Sequence, residues 1–403
     1  MEFGIGDRFL LVLISSAIVY KIFPFSVFVA LFSFLVASWI YFQYRQKQHW
    51  HNVGVPGPNT NILFGNTLKQ FRTGVIEVDE EMFKKYGNSY GSFLFERREF
   101  CTKDPEMLRQ IFIKEFSHFQ NRYNAIPERE HAPKSLMRNI LTVLRDDDWK
   151  RVRNRITPAF TTGKLKKLIP ILCESTEKLC KVFEREYALK GKEVPLKDLF
   201  GRFLLDVIGR CGFSLDLDTF DEENIFVKQA RTIFDFTRKG QKLRMIIGEM
   251  ITYEHLKRMN YLRAFVQETL RMFPVAPKMN RVCNSDCVIN GVPFERGDLV
   301  TLPIYVIQHD EAFFPDPFKF DPTRFLPERK AEIDSLAFLT FGLGPRNCIG
   351  MRFAEFQMQV ALALIVRRLR FSPGPNTPKY PPKLLSSEML RTEQPLVVLA
   401  EKI

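Results

Sequence analysis

The run FGLGPRNCIG, residues 341–350, decides how this chain is interpreted. It places Cys348 in a glycine-rich segment, with Arg346 two positions before it and helix-forming residues, 351–356, after it. Glycine adopts left-handed backbone conformations at little cost, so this cysteine loop (residues 341–350) can turn its N–H groups toward the sulfur. The following helix directs its positive N-terminal end at the same atom. Both effects favour the thiolate, the form of cysteine that binds metal ions.

The cysteine loop resembles the haem-binding signature of the cytochromes P-450, F-x-x-G-x-R-x-C-x-G. It matches at every fixed position, namely Phe341, Gly344, Arg346, Cys348 and Gly350. The resemblance implies that Cys348 is the axial ligand of a haem iron and that Arg346 reaches an anionic haem propionate. The alternative is an ordinary buried free cysteine after a turn, which is a common fate for this residue.

A second motif, Glu268-Thr269-Leu270-Arg271, resembles the E-x-x-R motif of the same family. Its glutamate and arginine are three positions apart, so both side chains lie on one helix face. The resemblance implies that Arg324 completes a buried Glu–Arg–Arg cluster whose role is scaffold assembly rather than proton transfer. The alternative is an exposed helical ion pair, which stabilises a helix by only a few tenths of a kcal/mol.

Trp149 and Arg153 resemble the W-x-x-x-R pattern of the family, and their spacing places both on one helix face. The resemblance implies that both donate to a haem propionate, and that Arg281 is a further propionate partner. The segment before it, 274–277, would line the substrate cavity, and 121–122 is a weaker candidate contact. The alternative for the pair is a surface tryptophan with an unrelated arginine.

The soluble part is predicted to be mainly α with a small β portion, and the resemblance, which covers nearly the whole chain, implies a cytochrome P-450 fold. Periodicity and capping predict helices over 146–157, 165–189, 196–210, 261–272 and 350–369. Strand-like runs occur at 90–101, 287–292 and 299–301.

The N-terminus is predicted to be a membrane anchor. Residues 25–42 carry no charge, and as a helix they span about 27 Å, close to the hydrocarbon thickness of a bilayer. Arg45 and Lys47 follow, so the positive-inside rule places the rest of the chain in the cytosol. A shorter apolar stretch, 9–20, allows a hairpin instead of a single pass, and a cleaved signal peptide is the competing interpretation. The proline-rich segment 55–58 is predicted to be a stiff hinge.

Composition limits the partners of this chain. Its 403 residues carry a net charge of +13, but its Lys/Arg residues do not alternate with aromatics as in nucleic-acid-binding segments. A basic surface suits anionic lipid or an acidic protein partner, and a solvated basic face is the alternative. The seven cysteines form no C-x-x-C pair, which disfavours zinc and fits a reducing compartment.

One expected element of the family is missing from the sequence. Between 236 and 241 the family's chain continues through distal helices, one of which carries A/G-G-x-D/E-T-T/S. The nearest string, 247–252, has the wrong spacing. The chain is roughly a hundred residues shorter than a usual member. No catalytic residue is therefore identified, because this motif holds the acid–alcohol pair that delivers protons to dioxygen.

The sequence thus predicts a membrane anchor over 1–50 and a haem-thiolate domain over 51–403, with an internal deletion near 236–241. The resemblance implies a monooxygenase at the endoplasmic reticulum membrane that oxidises apolar small molecules with O2 and NADPH-derived electrons from a flavoprotein reductase. Basic residues suited to docking this reductase occur at Lys164, Lys166, Lys167, Arg367, Arg368 and Arg370. One alternative is a truncated isoform that keeps haem and membrane binding without turnover. Another is an oxygen-independent, rearranging P-450.

Overall fold

The computed structural model describes residues 25–123, 139–213, 215, 219–220, 252–386 and 389–403. The apolar stretch 9–20, the predicted deletion point at 236–241 and residues 247–251 of the string 247–252 lie outside these residues. The helices in chain order are α1 Phe25–Lys47, α2 His49–Asn52, α3 Thr67–Thr73, α4 Val75–Tyr86, α5 Pro105–Arg109, α6 Asp146–Ile156, α7 Thr162–Lys166, α8 Ile169–Val182, α9 Leu196–Phe213, α10 Tyr253–Arg258, α11 Asn260–Met272, α12 Ile304–Gln308 and α13 Met351–Val366.

The strands are short and form small sheets. In chain order they are β1 Ser89–Leu94, β2 Arg97–Thr102, β3 Val194–Pro195, β4 Met279–Val282, β5 Cys287–Ile289, β6 Val292–Phe294, β7 Leu299–Leu302, β8 Leu369–Ser372, β9 Leu384–Ser386, β10 Leu390–Thr392 and β11 Val397–Lys402. They pair as β1-β2-β7-β4, β3-β11-β8, β5-β6 and β9-β10. The predicted class, mainly α with a small β portion, is confirmed.

The first of two compact units comprises Met1–Asp146, Pro277–Ile307 and Leu343–Pro345. It contains the four-stranded sheet, in which β1 and β2 are antiparallel and β2 runs parallel to β7. The predicted strand over 90–101 is therefore a hairpin, with its turn at Phe95, where φ is 56°. The predicted hinge is tied to this sheet, because Gly91 N donates to Pro56 O at 2.8 Å.

The second unit comprises Asp147–Ala276, Gln308–Gly342 and Arg346–Ile403. Its core joins α8, α9 and α13 through fully buried side chains, among them Leu172, Leu179, Val207 and Val360. The predicted helix over 165–189 is interrupted between α7 and α8. Pro170 occupies the first turn of α8, where its missing N–H is tolerated, so a new helix starts there.

The predicted membrane segment 25–42 lies within α1. Within the described ranges, α1 is the one helix long and apolar enough to cross a bilayer. Its last turn carries Arg45 and Lys47, as the positive-inside prediction requires. The chain therefore has a candidate N-terminal membrane anchor.

Candidate haem-thiolate site

Cys348 lies at the start of α13, in a turn closed by main-chain hydrogen bonds. Its N–H donates to Phe341 O at 2.8 Å, and Gly342 N donates to Leu339 O at 2.7 Å. Gly342 has φ of 80°, which suits glycine best. The helix then begins at Met351. The side chain of Cys348 is exposed. The alternative of a buried free cysteine is therefore wrong, and the sulfur is accessible to a ligand.

The middle of the cysteine loop, Leu343–Pro345, belongs to the first unit. Gly344 has φ of 73°, and a Cβ at this position would lie 1.9 Å from Phe112 O. Only glycine therefore allows this close approach. Arg281 of β4 is fully buried, donates to Leu343 O at 3.4 Å and lies 5.2 Å from the Phe112 ring centre. These contacts place the predicted propionate partner Arg281 beside the loop segment that contains Gly344.

Trp149 and Arg153, one turn apart on α6, both contact the second-unit part of the cysteine loop. Arg153 donates to Asn347 O at 2.8 Å and to Asn347 Oδ1 at 3.0 Å. Burial lowers the pKa of the Arg153 guanidinium, and the negative charge of a Cys348 thiolate opposes this shift. The Arg346 guanidinium lies 4.7 Å from the ring centre of buried Trp149. The alternative of a surface tryptophan with an unrelated arginine is therefore wrong.

The E-x-x-R pair lies in α11 and is completely buried. Arg271 donates from Nε to Glu268 Oε2 at 2.7 Å and from Nη2 to Glu268 Oε1 at 2.9 Å. Arg324 Nε lies 3.6 Å from Glu268 Oε1, which also accepts from Asp321 N at 2.8 Å. Because the side chains of Glu268 and Arg271 have no solvent exposure, this cannot be an exposed helical ion pair. The geometry is that of the three-residue cluster expected from the sequence.

Gln308 connects this cluster to the chain that enters the cysteine loop. Its side-chain nitrogen Nε2 donates to the backbone O of Arg271 at 2.8 Å. Its own backbone O accepts from Arg271 Nη1 at 2.7 Å. Its side-chain oxygen accepts from Leu339 N at 2.9 Å and from Thr340 Oγ1 at 3.0 Å. Sequence reasoning missed this residue, because a lone glutamine with no motif around it carries no signal.

The weaker candidates have structural contacts of their own. Asn121 accepts from Val282 N at 2.9 Å and thereby braces β4. Among the predicted basic docking residues, Lys166 lies 3.8 Å from Glu254 and Arg368 lies 2.7 Å from Glu177. These two side chains are thus partly neutralised by neighbouring carboxylates.

The chemistry around Cys348 fits a metal macrocycle better than a protein-made metal site. Throughout the part of the chain that the structure describes, three or more His, Cys, Asp or Glu side chains never cluster as a metal site would require. The guanidinium groups of Arg153, next to the loop, and of Arg346, within it, suit an anionic ligand. An exposed thiol beside these cations is the arrangement expected of a protein of the haem-thiolate class.

Comparison with known proteins agrees with this class. The family model "Cytochrome P450" matches residues 55–247 and 241–400, so the chain belongs to the cytochrome P450 family. It is similar to human cytochrome P450 3A7, with 28% identity, 89% of this chain and 93% of that protein being covered. It is also similar to human cytochrome P450 3A5, with 28% identity and coverage of 88% and 93%. Mouse cytochrome P450 3A41 is 27% identical, with coverage of 90% and 95%.

The family makes this chain a haem-dependent monooxygenase, an oxidoreductase that takes haem with a thiolate ligand, a redox partner and apolar substrates. The alignment with the human 3A7 protein runs over 479 positions, more than the 403 residues of this chain. It therefore includes positions that have no counterpart here.

Proposed function

We propose that this chain holds haem through the Cys348 thiolate and acts as a membrane-anchored monooxygenase of apolar small molecules. The observation that carries this proposal is the exposed cysteine in a closed turn at the start of α13. When bound, the haem supplies the activation of dioxygen. The N-terminal end of the 16-residue helix α13 stabilises negative charge on the sulfur.

The other predicted site residues have supporting roles in this proposal. Arg153 fixes the backbone and side chain of Asn347, the residue before the ligand. Arg346, stacked on Trp149, offers positive charge to a haem propionate, and Arg281 is proposed as a further propionate partner. Phe341, Gly344 and Gly350 shape the loop. Glu268, Arg271 and Arg324 hold the scaffold, because a buried carboxylate with all its partners in place is costly to disturb.

The electron donor proposed here is a flavoprotein reductase that draws on NADPH. Its acidic surface would meet the basic residues around α7 and the end of α13, and electrostatic attraction would speed their encounter. The location proposed is the endoplasmic reticulum membrane, with α1 as a single pass and the haem domain in the cytosol. Lipid is the second partner, and an apolar organic molecule is the substrate.

The decisive experiment is the spectrum of the reduced, CO-bound protein. Cys348→Ala is expected to abolish the haem-thiolate absorption band, because a haem held at this site would lose its sulfur ligand. Cys211→Ala changes another free cysteine, which is half-buried, and as the matched control it should keep the band. An unchanged band in Cys348→Ala would overturn the assignment of the ligand.

A second candidate function is supported by the length of the chain. The A/G-G-x-D/E-T-T/S motif is not found in the sequence, the alignment is longer than the chain, and the two family-matched segments overlap at 241–247. These observations favour an internal deletion near 236–241 within the 51–403 domain, after the 1–50 anchor. Such a chain would bind haem and membrane but fail to deliver protons to dioxygen.

Turnover separates the two candidates. The purified chain, reconstituted with reductase, NADPH and an apolar probe, should form hydroxylated product only if the oxygen-activating half is intact. A normal CO-bound spectrum without product would favour the truncated form. Isomerised product formed without reductase would identify the rearranging alternative. Sequencing the transcript across the codons for 236–241 would establish whether the deletion is encoded.

A further inference from the structure

Two cysteines meet across a short turn at the surface of the first unit. Cys283 follows the end of β4 and Cys287 begins β5, so three residues separate them. Both carry free thiols. The Cys283 thiol donates to Ser285 O, inside the turn, at 3.0 Å, and the two thiols are in hydrogen-bonding contact with each other. The two sulfur atoms are therefore neighbours in the folded chain.

The backbone holds both ends of this turn. Cys283 N donates to Asp298 O, and Gly297 N donates to Cys283 O, both at 2.8 Å. Cys287 pairs with Phe294 in the antiparallel ladder of β5 and β6. Each cysteine is thus fixed to β6 or to the residues that follow it. Because the fold already holds the two ends together, joining them costs little further chain entropy.

The two thiols differ in exposure. Cys283 has no solvent exposure, whereas Cys287 is half-buried and is followed by exposed Val288. A reagent in solution therefore meets Cys287 first. Burial raises the pKa of both thiols, and the hydrogen bond between them adds to the rise at Cys283 and opposes it at Cys287. Cys287 is thus placed to react first, with Cys283 behind it as a resolving thiol.

A metal site and a permanent disulfide suit this pair less well. A zinc ion takes four ligands, and in the described ranges of the chain no group of three or more His, Cys, Asp or Glu side chains is arranged to hold a metal ion. The cysteine pattern of the sequence favours a reducing compartment, where disulfides are usually transient. A bond that forms and is reduced again fits both observations.

We propose that Cys283 and Cys287 are a reversible modification site, at which hydrogen peroxide oxidises the two thiols to a disulfide. Peroxide converts the Cys287 thiol to a sulfenic acid and releases one water. The Cys283 sulfur then attacks this sulfur, the S–O bond breaks, and a second water leaves as the S–S bond forms. The two thiols give up two electrons and two protons, which reduce the peroxide to water. Exchange with an external thiol restores both cysteines.

The test is peptide mass spectrometry of the full-length protein after prior reduction. Trypsin cleaves after Arg281 and Arg296, so peptide 282–296 carries both cysteines and no third one. After peroxide and then iodoacetamide, we expect this peptide to be two hydrogens lighter than its reduced form and to lose its label. Dithiothreitol before labelling should return a peptide with two labels. Cys211→Ser, at another half-buried cysteine, is the matched control and should form the same disulfide.

Single substitutions test the order of reaction. In Cys283→Ser the remaining thiol has no partner, so oxidation of Cys287 should stop at the sulfenic acid, which dimedone traps. In Cys287→Ser the buried Cys283 should keep its thiol at the same dose of peroxide. Dimedone trapped at Cys283 and not at Cys287 would overturn the assigned roles.

Phenylarsine oxide, which bridges two neighbouring thiols without oxidising them, keeps the other outcomes decisive. If it bridges peptide 282–296 but peroxide forms no disulfide there, the thiols are neighbours and the proposal is refuted. A disulfide from Cys283 or Cys287 to a third cysteine would refute it too. A bond that dithiothreitol fails to reduce in the folded protein would refute its reversibility. Haem takes no part in these measurements, so they are independent of the proposed role of Cys348.

Discussion

The Glu268 cluster and the cysteine loop are both marked by sequence motifs, but the key side chains are buried and paired in the cluster and exposed in the loop. In the cluster the charged side chains have their partners within the protein, and the carboxylate of Glu268 is enclosed by Arg271, Arg324 and a backbone amide. In the loop the sulfur of Cys348 is exposed. The charges of the cluster are thus compensated within the protein, whereas the sulfur of the loop is accessible to a group that is not part of the chain.

This difference separates scaffold from site. Removing a member of the closed cluster leaves a buried charge without compensation, so the cost falls on folding. If Cys348 holds haem as proposed, removing the exposed thiol would deprive the haem of its partner, so the cost would fall on binding. Substitutions in the cluster should therefore change stability, whereas substitutions in the loop should change ligand binding.

The largest effect is expected in the cluster. Glu268→Gln removes the negative charge that compensates Arg271 and Arg324, and we expect it to lower the free energy of unfolding by about 3–5 kcal/mol. Urea denaturation followed by circular dichroism measures this loss. Glu332→Gln, on an exposed carboxylate, is the matched control and should change stability by less than about 0.5 kcal/mol. If both substitutions lowered the free energy of unfolding equally, the cluster would not be a stabilising scaffold.

Glycine positions in the cysteine loop provide the next test. Gly344→Ala places a Cβ against Phe112 O at a positive φ, and we expect a loss of about 1–3 kcal/mol. Gly350→Ala meets only Phe160 Cε1 at 3.8 Å, an ordinary contact, and should be tolerated. Thermal unfolding of the two variants compares them directly. The close approach at Gly344 would be disproved if both unfold like the parent chain.

A smaller effect is expected at Arg153. Arg153→Lys keeps the charge but loses the two parallel hydrogen bonds to Asn347, so the residue before the ligand is held less firmly. We expect about tenfold faster transfer of haem to an apo-globin acceptor, equivalent to about 1.4 kcal/mol, with an unchanged unfolding midpoint. Lys150→Arg, an exposed change on the same helix, serves as control. A shifted midpoint with normal haem retention would assign Arg153 to the scaffold instead.

The mildest probe is thiol labelling, which needs no substitution. Burial raises the pKa of Cys180 to about 12, so at pH 8 almost all of this thiol is protonated. Because this thiol becomes nucleophilic only as the pH approaches its pKa, Cys180 should resist iodoacetamide at pH 8 and gain reactivity toward pH 11. Exposed Cys348 should be labelled in haem-free protein and protected after haem is added. Mass spectrometry of tryptic peptides measures both, and labelling of Cys348 despite bound haem would contradict its role as ligand.

Regular elements and motif partners could be predicted because they depend on neighbours in sequence. Helix α11 was predicted over 261–272 and spans Asn260–Met272, and α9 was predicted over 196–210 and continues to Phe213. The break between α7 and α8 was not predicted, since amphipathic periodicity continues across it. The bond from Gln308 to Leu339 depends on residues 31 positions apart, which no local pattern encodes. The same holds for the bond between Lys47 and Phe95, which is 48 positions long.

The bonds of Gln308 also bear on what holds the cysteine loop in place. Its side chain joins the end of α11 to residues 339–340 with partners supplied entirely by the polypeptide. The approach to the cysteine loop is therefore held by bonds within the polypeptide, none of which needs a cofactor atom. If haem binds as proposed, its removal should leave the bonds of Gln308 in place.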